Sequence, residues 1–125
     1  MTWLCIALGG ALGSLGRHGL AVGLARFESF PFGTLAANLL GSLAIGIAAG
    51  FWEIDQRKSP TALFIITGFC GGFTTFSTFS LQTLQLIQQN DWPKAGLNIA
   101  ASVTICLLCT WVGWMLGQSL RKTAT

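Results

Sequence analysis

The chain has 125 residues, of which 52% are hydrophobic and only 9% are charged, and it carries a net charge of +3. Because soluble domains usually carry about 25% charged residues, this composition cannot solvate a globular surface and leaves no room for a soluble catalytic domain. The few charges lie between apolar runs, so nucleic acid is not expected as a partner.

Four stretches contain no charged residue: 1–16, 29–52, 59–90 and 95–120. A membrane-spanning helix needs about 20 predominantly apolar residues, and the first stretch reaches that length if it continues past Arg17 and His18. We therefore predict an all-α membrane protein, a single domain over residues 1–125, with transmembrane helices over about 2–25, 32–52, 61–89 and 94–120. A signal peptide is not predicted, because the N-terminus lacks a basic leader and further spans follow.

The first helix carries Arg17 about two-thirds of the way along. A charge at the centre of a membrane helix costs about 2.5–3.5 kcal/mol on insertion scales. Arg17 therefore either extends towards the near interface or lines a water-filled vestibule that attracts anions. His18 has no visible ligand partner and is assigned to the interface.

The second helix has a stripe of small and polar residues at four-residue spacing: Thr34, Asn38, Ser42, Gly46 and Gly50. Small residues let membrane helices approach closely, so the glycines are assigned to helix packing. Asn38 differs, because a buried amide needs hydrogen-bond partners. Packing and a functional role both remain open for it.

The third span contains "GFCGGFTTFSTFS", residues 68–80, within 32 residues that lack any charge or histidine. As one helix it would extend about 48 Å, against a hydrocarbon core of about 30 Å. Either its glutamine-rich end projects into water or the helix is broken near Gly71–Thr75, where Gly71 and Gly72 are the weakest helix formers. Irregular backbone at this depth needs surrounding protein or a water-filled cavity.

Phe76 and Phe79 lie three residues apart, beside a hydroxyl face of Thr74, Ser77 and Thr78. In one interpretation the rings face lipid and the hydroxyls bond to carbonyls one turn earlier. In the other, the partly positive ring edges favour an anion without trapping it, and the hydroxyls replace its water. Conduction needs binding that is weak enough for release.

The fourth helix repeats the pattern of small residues with Asn98, Ser102, Cys106, Cys109, Gly113 and Gly117. Cys106 and Cys109 form a CxxC without a second ligand pair, so packing is favoured over zinc or redox chemistry. The basic residues at the side of both termini are Arg57, Lys58, Arg121 and Lys122, against Arg26 and Lys94 at the other side. This small bias predicts insertion in either orientation.

The motif "GFCGGFTTFSTFS", with "PFGTLAANLLGS" on the second helix and "GGALGSLGRHGL" on the first, resembles the Fluc/CrcB fluoride channels over nearly the whole chain. The resemblance implies a passive fluoride channel in the bacterial inner membrane. It further implies an antiparallel homodimer of dual topology, with two pores and a central structural sodium ion.

The resemblance also assigns roles to nine residues. The fluoride pathway is expected to include Phe76, Phe79, Asn38, Ser77, Thr78, Arg17 and Gln82. The sodium ion is expected to bind the backbone carbonyls of Gly71 and Thr74. Three positions depart from the family's common pattern, which often has an acid at Gln82, an aromatic residue at His18 and a tyrosine at Asn98.

Three other classes of protein are less well supported. A small dual-topology multidrug exporter needs an ionisable group at bilayer depth for proton coupling. The acids of this chain lie in predicted loops or at span ends, at Glu28, Glu53, Asp55 and Asp91. A non-transporting assembly subunit explains the glycines but not the block of hydroxyls and phenyl rings. An enzyme is disfavoured because the chain has one histidine and no acid pair within a span.

Overall fold

The computed structural model describes residues 1–27 and 29–124, and all the regular structure in these residues is helical. Glu28, assigned above to the first loop, lies outside the described residues. The helices are α1 (Thr2–Gly23), α2 (Phe32–Phe51), α3 (residues 60–73), α4 (Phe76–Gln88) and α5 (Trp92–Ala124). A short 3-10 helix, Asp55–Lys58, follows α2, and the middle of α3, Phe64–Cys70, is π-helical.

Three of the described helical segments are long and apolar enough to cross a membrane: Phe32–Phe51, Pro60–Gln88 and Trp92–Ala124. The chain is thus a multi-pass membrane protein. Helix α1 has 22 residues, about 33 Å at 1.5 Å per residue. Its length suits a span, but Arg17, His18 and its glycines lower its mean hydropathy. A fourth span through α1 therefore stays a prediction.

Helices α2 and α5 pack backbone against backbone through the two predicted stripes. A Cβ atom at Gly46 would overlap the carbonyl oxygen of Thr110, and one at Gly113 would overlap that of Leu43. These contacts confirm that the glycines serve helix packing, as membrane helices use small residues to approach closely. The contact of Gly46 with Thr110 is followed by that of Gly50 with Trp114, so residue numbers rise together and α2 and α5 run parallel.

Helix α1 packs in the same way against α3, again with parallel directions. A Cβ atom at Gly9 would overlap the carbonyl oxygen of Phe64, and one at Gly13 would overlap that of Phe69. The first of these carbonyls lies at the start of the π-helical turn of α3, and the second lies near its end. The position of the third span is therefore fixed by close backbone contact with α1.

Glycine substitutions in α1 test this contact. We expect Gly13→Ala to lower the free energy of unfolding by about 1–3 kcal/mol, because the added methyl overpacks the interface with α3. Gly19→Ala is the matched control, since a Cβ there has no atom within 4 Å. It should gain up to about 1 kcal/mol of helix propensity. Thermal unfolding of both variants in detergent measures the difference, and equal midpoints would contradict the packing.

Several charged side chains form contacts near helix ends. Arg57 donates from Nη2 to the carbonyl of Ala49 (2.6 Å) and from Nε to that of Trp52 (3.2 Å), at the C-terminus of α2. Arg121 pairs with Glu53 across 3.3 Å, which ties α5 to the end of α2. A basic residue near a helix C-terminus also offsets the helix dipole. Helix α5 continues to Ala124, past the predicted end at 120. At the start of α5, a hydrogen bond from Lys94 lowers the pKa of the Asp91 carboxyl, with nitrogen and oxygen 2.7 Å apart.

Candidate functional site

The third span is interrupted at two threonines. Thr74 (φ −82°, ψ 158°) and Thr75 (φ −153°, ψ 113°) are extended, whereas Gly71 is helical with φ −62° and ψ −38°. The break thus lies within the predicted interval but not at the glycines favoured by helix propensity. Gly72 is needed for packing, because a Cβ there would overlap the carbonyl oxygen of Gly10.

Asn38 of α2 holds the backbone of the break. Its Oδ1 accepts a hydrogen bond from the N–H of Thr75 (2.7 Å), and its Nδ2 donates to the carbonyl of the same residue (3.1 Å). One side chain thus satisfies both polar groups of a peptide unit that is outside a helix. Asn38 thus stabilises the break, and within the described residues its second Nδ2–H has no partner.

Thr75 also starts α4 and gathers the hydroxyls predicted to line the pathway. Its Oγ1 accepts from the N–H of Thr78 (3.1 Å), donates to Oγ1 of Thr78 (3.0 Å) and lies 3.2 Å from Oγ of Ser77. Threonine is a favoured N-cap residue, and that preference was the sequence signal for this role. Sequence reasoning missed Thr75, which is buried.

These two interactions bind N–H groups that would donate to backbone carbonyls in a regular α-helix, so two carbonyls lose their donors. In an α-helix the Gly71 carbonyl would accept from Thr75, but that N–H is bound by Asn38. The Thr74 carbonyl would accept from Thr78, but that N–H is bound by the Thr75 hydroxyl. The carbonyls of Gly71 and Thr74, predicted to bind sodium, thus lack their α-helical partners, and hard cations prefer oxygen ligands.

The two phenylalanines at the start of α4 differ in exposure. Phe76 is 78% exposed in the single chain, whereas Phe79 is 9% exposed. Their ring centroids are 5.4 Å apart at an interplanar angle of 48°. Phe79 therefore does not face lipid, while Phe76 projects from the surface of the chain.

A groove of about 550 Å³ runs along α2, α3, α4 and α5 at the level of the break. It brings together five of the predicted site residues: Asn38, Gly71, Thr74, Phe76 and Phe79. The other four, Ser77, Thr78, Gln82 and Arg17, are not part of its lining. Arg17 lies on α1 close to the level of the break, because a Cβ at the preceding Gly16 would touch the Phe73 ring. It is half-exposed and has no ion pair with any described residue.

A second hydrogen-bonded chain lies one turn beyond the phenylalanines. Asn98 of α5 is 2% exposed and donates from Nδ2 to the Thr83 hydroxyl (2.9 Å), which donates to the Phe79 carbonyl (2.8 Å). Beside it, the Oε1 atom of Gln82 is buried without a partner among the described residues. Sequence reasoning did not single out Thr83, whose partner lies 15 residues away.

The sequence of the chain is similar to a known protein family and to several named proteins. The family described as CrcB-like protein, Camphor Resistance (CrcB), matches residues 4–114. A protein of Paramagnetospirillum magneticum is 46% identical over 98% of this chain and 99% of its own length. One of Opitutus terrae is 47% identical over 96% and 95% of the two chains, and one of Thermococcus gammatolerans is 42% identical over 92% and 94%. All three are named fluoride-specific ion channel FluC. These names confirm the prediction that the chain is not an enzyme.

Proposed function

The chain belongs to the CrcB family of membrane proteins, and we propose that it is a fluoride-selective channel through which this anion leaves the cell passively. The observation that carries the proposal is its similarity, over nearly its whole length, to relatives named fluoride-specific ion channels. Hydrogen fluoride crosses membranes as a neutral weak acid and ionises in a near-neutral cytoplasm. A selective anion pathway then lets the membrane potential expel fluoride.

The proposed pathway follows α4 from the break, past Phe76 and Phe79. Ring edges carry partial positive charge, so they favour the anion without a full charge that would hold it. The hydroxyls of Ser77 and Thr78 and the second N–H of Asn38 supply donors in place of water. Gln82 continues this polar line, and Arg17 attracts anions at the vestibule. Binding of this moderate strength suits conduction.

The working unit is an antiparallel homodimer with two pores. In the single chain, the broken backbone faces an open groove, and irregular backbone at bilayer depth requires surrounding protein or water. A second copy of the chain supplies that surrounding. Two copies in opposite orientations also agree with the small charge bias, four basic residues against two.

A structural sodium ion at the centre of the dimer would be held by the carbonyls of Gly71 and Thr74. Both carbonyls have lost their regular helical donors to Asn38 and Thr75, and oxygen ligands suit a hard cation. When bound, the ion supplies positive charge that offsets these carbonyl dipoles. The residues of the chain do the rest, since Asn38 and Thr75 set the backbone conformation that aims the carbonyls.

The rival proposal, a small proton-coupled multidrug exporter, needs an ionisable carboxylate at bilayer depth. The acids of the described residues are Glu53, Asp55 and Asp91, and each lies outside the three apolar spans. The described residues therefore offer the rival proposal no carboxylate at bilayer depth to couple drug export to protons.

Fluoride efflux from liposomes tests the function. Vesicles containing the purified protein are loaded with potassium fluoride or potassium chloride. Valinomycin is then added to carry potassium out, so that no membrane potential holds the anion inside. We expect rapid fluoride efflux and retained chloride. Equal chloride passage would remove the selectivity, and absence of fluoride efflux would overturn the proposal. Export of a cationic drug under a pH gradient without fluoride efflux would favour the exporter.

Gln82 allows activity to be separated from stability. We expect Gln82→Leu to slow fluoride efflux, because the pathway loses the polar amide of this side chain. The midpoint of thermal unfolding should be unchanged or raised. Stability should not fall because an unsatisfied buried polar atom costs about 1–3 kcal/mol and leucine of similar size removes it. Gln85→Leu, at an exposed position one turn on, is the control and should conduct normally. A Gln82→Leu variant with unchanged efflux would exclude this residue from the pathway.

A further inference from the structure

A second, separate cleft lies where α1 ends and α2 begins. It has a volume of about 360 Å³, and every residue that lines it is apolar: Leu24, Phe27, Phe32, Leu35, Ala36 and Leu39. The four residues of α2 form one stripe that runs about 10 Å along the helix at 1.5 Å per residue. The cleft thus starts at the helix ends and continues along α2 towards the hydrocarbon core.

A cation stands at the mouth of this cleft. The guanidinium carbon of Arg26 lies 5.2 Å from the centroid of the Phe27 ring, and that ring is one wall of the cleft. Phe27 in turn packs edge-on against Phe32, with centroids 6.2 Å apart. Because Arg26 follows the last turn of α1, its charge lies at the headgroup end of the cleft, next to an entirely apolar channel.

We propose that this cleft binds a phospholipid, with one acyl chain along α2 and the phosphate held by Arg26. The charge complementarity is specific, because guanidinium groups bind phosphate oxygens through paired hydrogen bonds. A protein helix is a poor fit for the same surface. Membrane helices associate through small and polar residues, and the lining offers large side chains with Ala36 as its only small one.

Native mass spectrometry of the full-length protein, extracted from vesicles of phosphatidylethanolamine and phosphatidylglycerol, tests the site. We expect each protomer to retain one phospholipid. Leu35→Trp fills the cleft and should reduce the retained lipid by about ten-fold or more, since each buried methylene contributes to lipid affinity. Arg26→Gln should also reduce the amount of retained lipid, and added inorganic phosphate should not restore that amount.

Two matched variants control for general effects on the surface. Leu97→Trp adds the same ring at an exposed position of α5, and Lys58→Gln removes an exposed cation elsewhere. Both should retain lipid as the unmodified protein does. Equal lipid loss in Leu35→Trp and Leu97→Trp would overturn the proposal. The proposal would also be overturned if Leu35→Trp changed the number of protomers in the oligomer but not the amount of retained lipid. The cleft would then be a contact between copies of the chain. None of these readouts depends on fluoride transport.

Discussion

Asn38→Asp is expected to abolish fluoride efflux and to destabilise the fold. The substitution replaces the Nδ2 donor by a carboxylate oxygen that faces the Thr75 carbonyl, where the present hydrogen bond is 3.1 Å long. Loss of that bond and repulsion between the two oxygens should cost about 1–3 kcal/mol or more, because charged groups without partners are penalised further. The negative charge also opposes an anion at the break. Liposome efflux and thermal unfolding measure the two effects.

Two further variants separate the causes. Asn38→Leu removes both hydrogen bonds to Thr75 without adding charge, so its midpoint should fall while any remaining transport is not opposed by a carboxylate. Asn90→Asp makes the same chemical change at an exposed turn with φ 60°, a conformation that aspartate tolerates, and it should behave as the unmodified protein. Normal efflux by Asn38→Asp would place the pathway away from the break.

The third span shows what sequence reasoning can reach. Its length without charge predicted either an interruption or an end that projects into water, because about 48 Å of helix exceeds the hydrocarbon core. The structure has an interruption, and it lies inside the predicted interval. The exact point was misplaced because propensity scales treat glycine as a helix breaker. Gly72 instead provides the space for α1, and the break is stabilised by the caps at Thr75.

The site depends on pairings that a single sequence does not contain. Asn38 binds a peptide unit 37 residues away, and no local pattern indicates that separation. The spacing of Phe76 and Phe79 predicted one shared face, yet their exposures differ widely. The reason is that α4 starts anew after the break, so Phe76 lies in its first turn at the edge of the groove while Phe79 points inward.

Phe79→Ile and Phe76→Ile are both expected to slow fluoride efflux strongly. Isoleucine keeps the apolar character but removes the partly positive ring edge, and each 1.4 kcal/mol added to the barrier slows passage about ten-fold. The two variants should differ in stability. Phe79 is nearly buried, so a change of side-chain shape there should cost about 1–3 kcal/mol. Phe76 is exposed at the edge of the groove, so its substitution should cost less in the isolated chain.

The pair of variants therefore distinguishes pore function from packing. If the rings only pack, efflux should follow stability, and Phe76→Ile should conduct nearly as well as the unmodified protein. If ring edges guide the anion, both variants lose efflux although only Phe79→Ile loses much stability. Phe51→Ile, at the far end of α2 where the ring packs against Trp52 at 5.6 Å, is the control and should conduct normally. Unchanged efflux in both Phe76→Ile and Phe79→Ile would show that the phenyl rings are not part of the fluoride pathway.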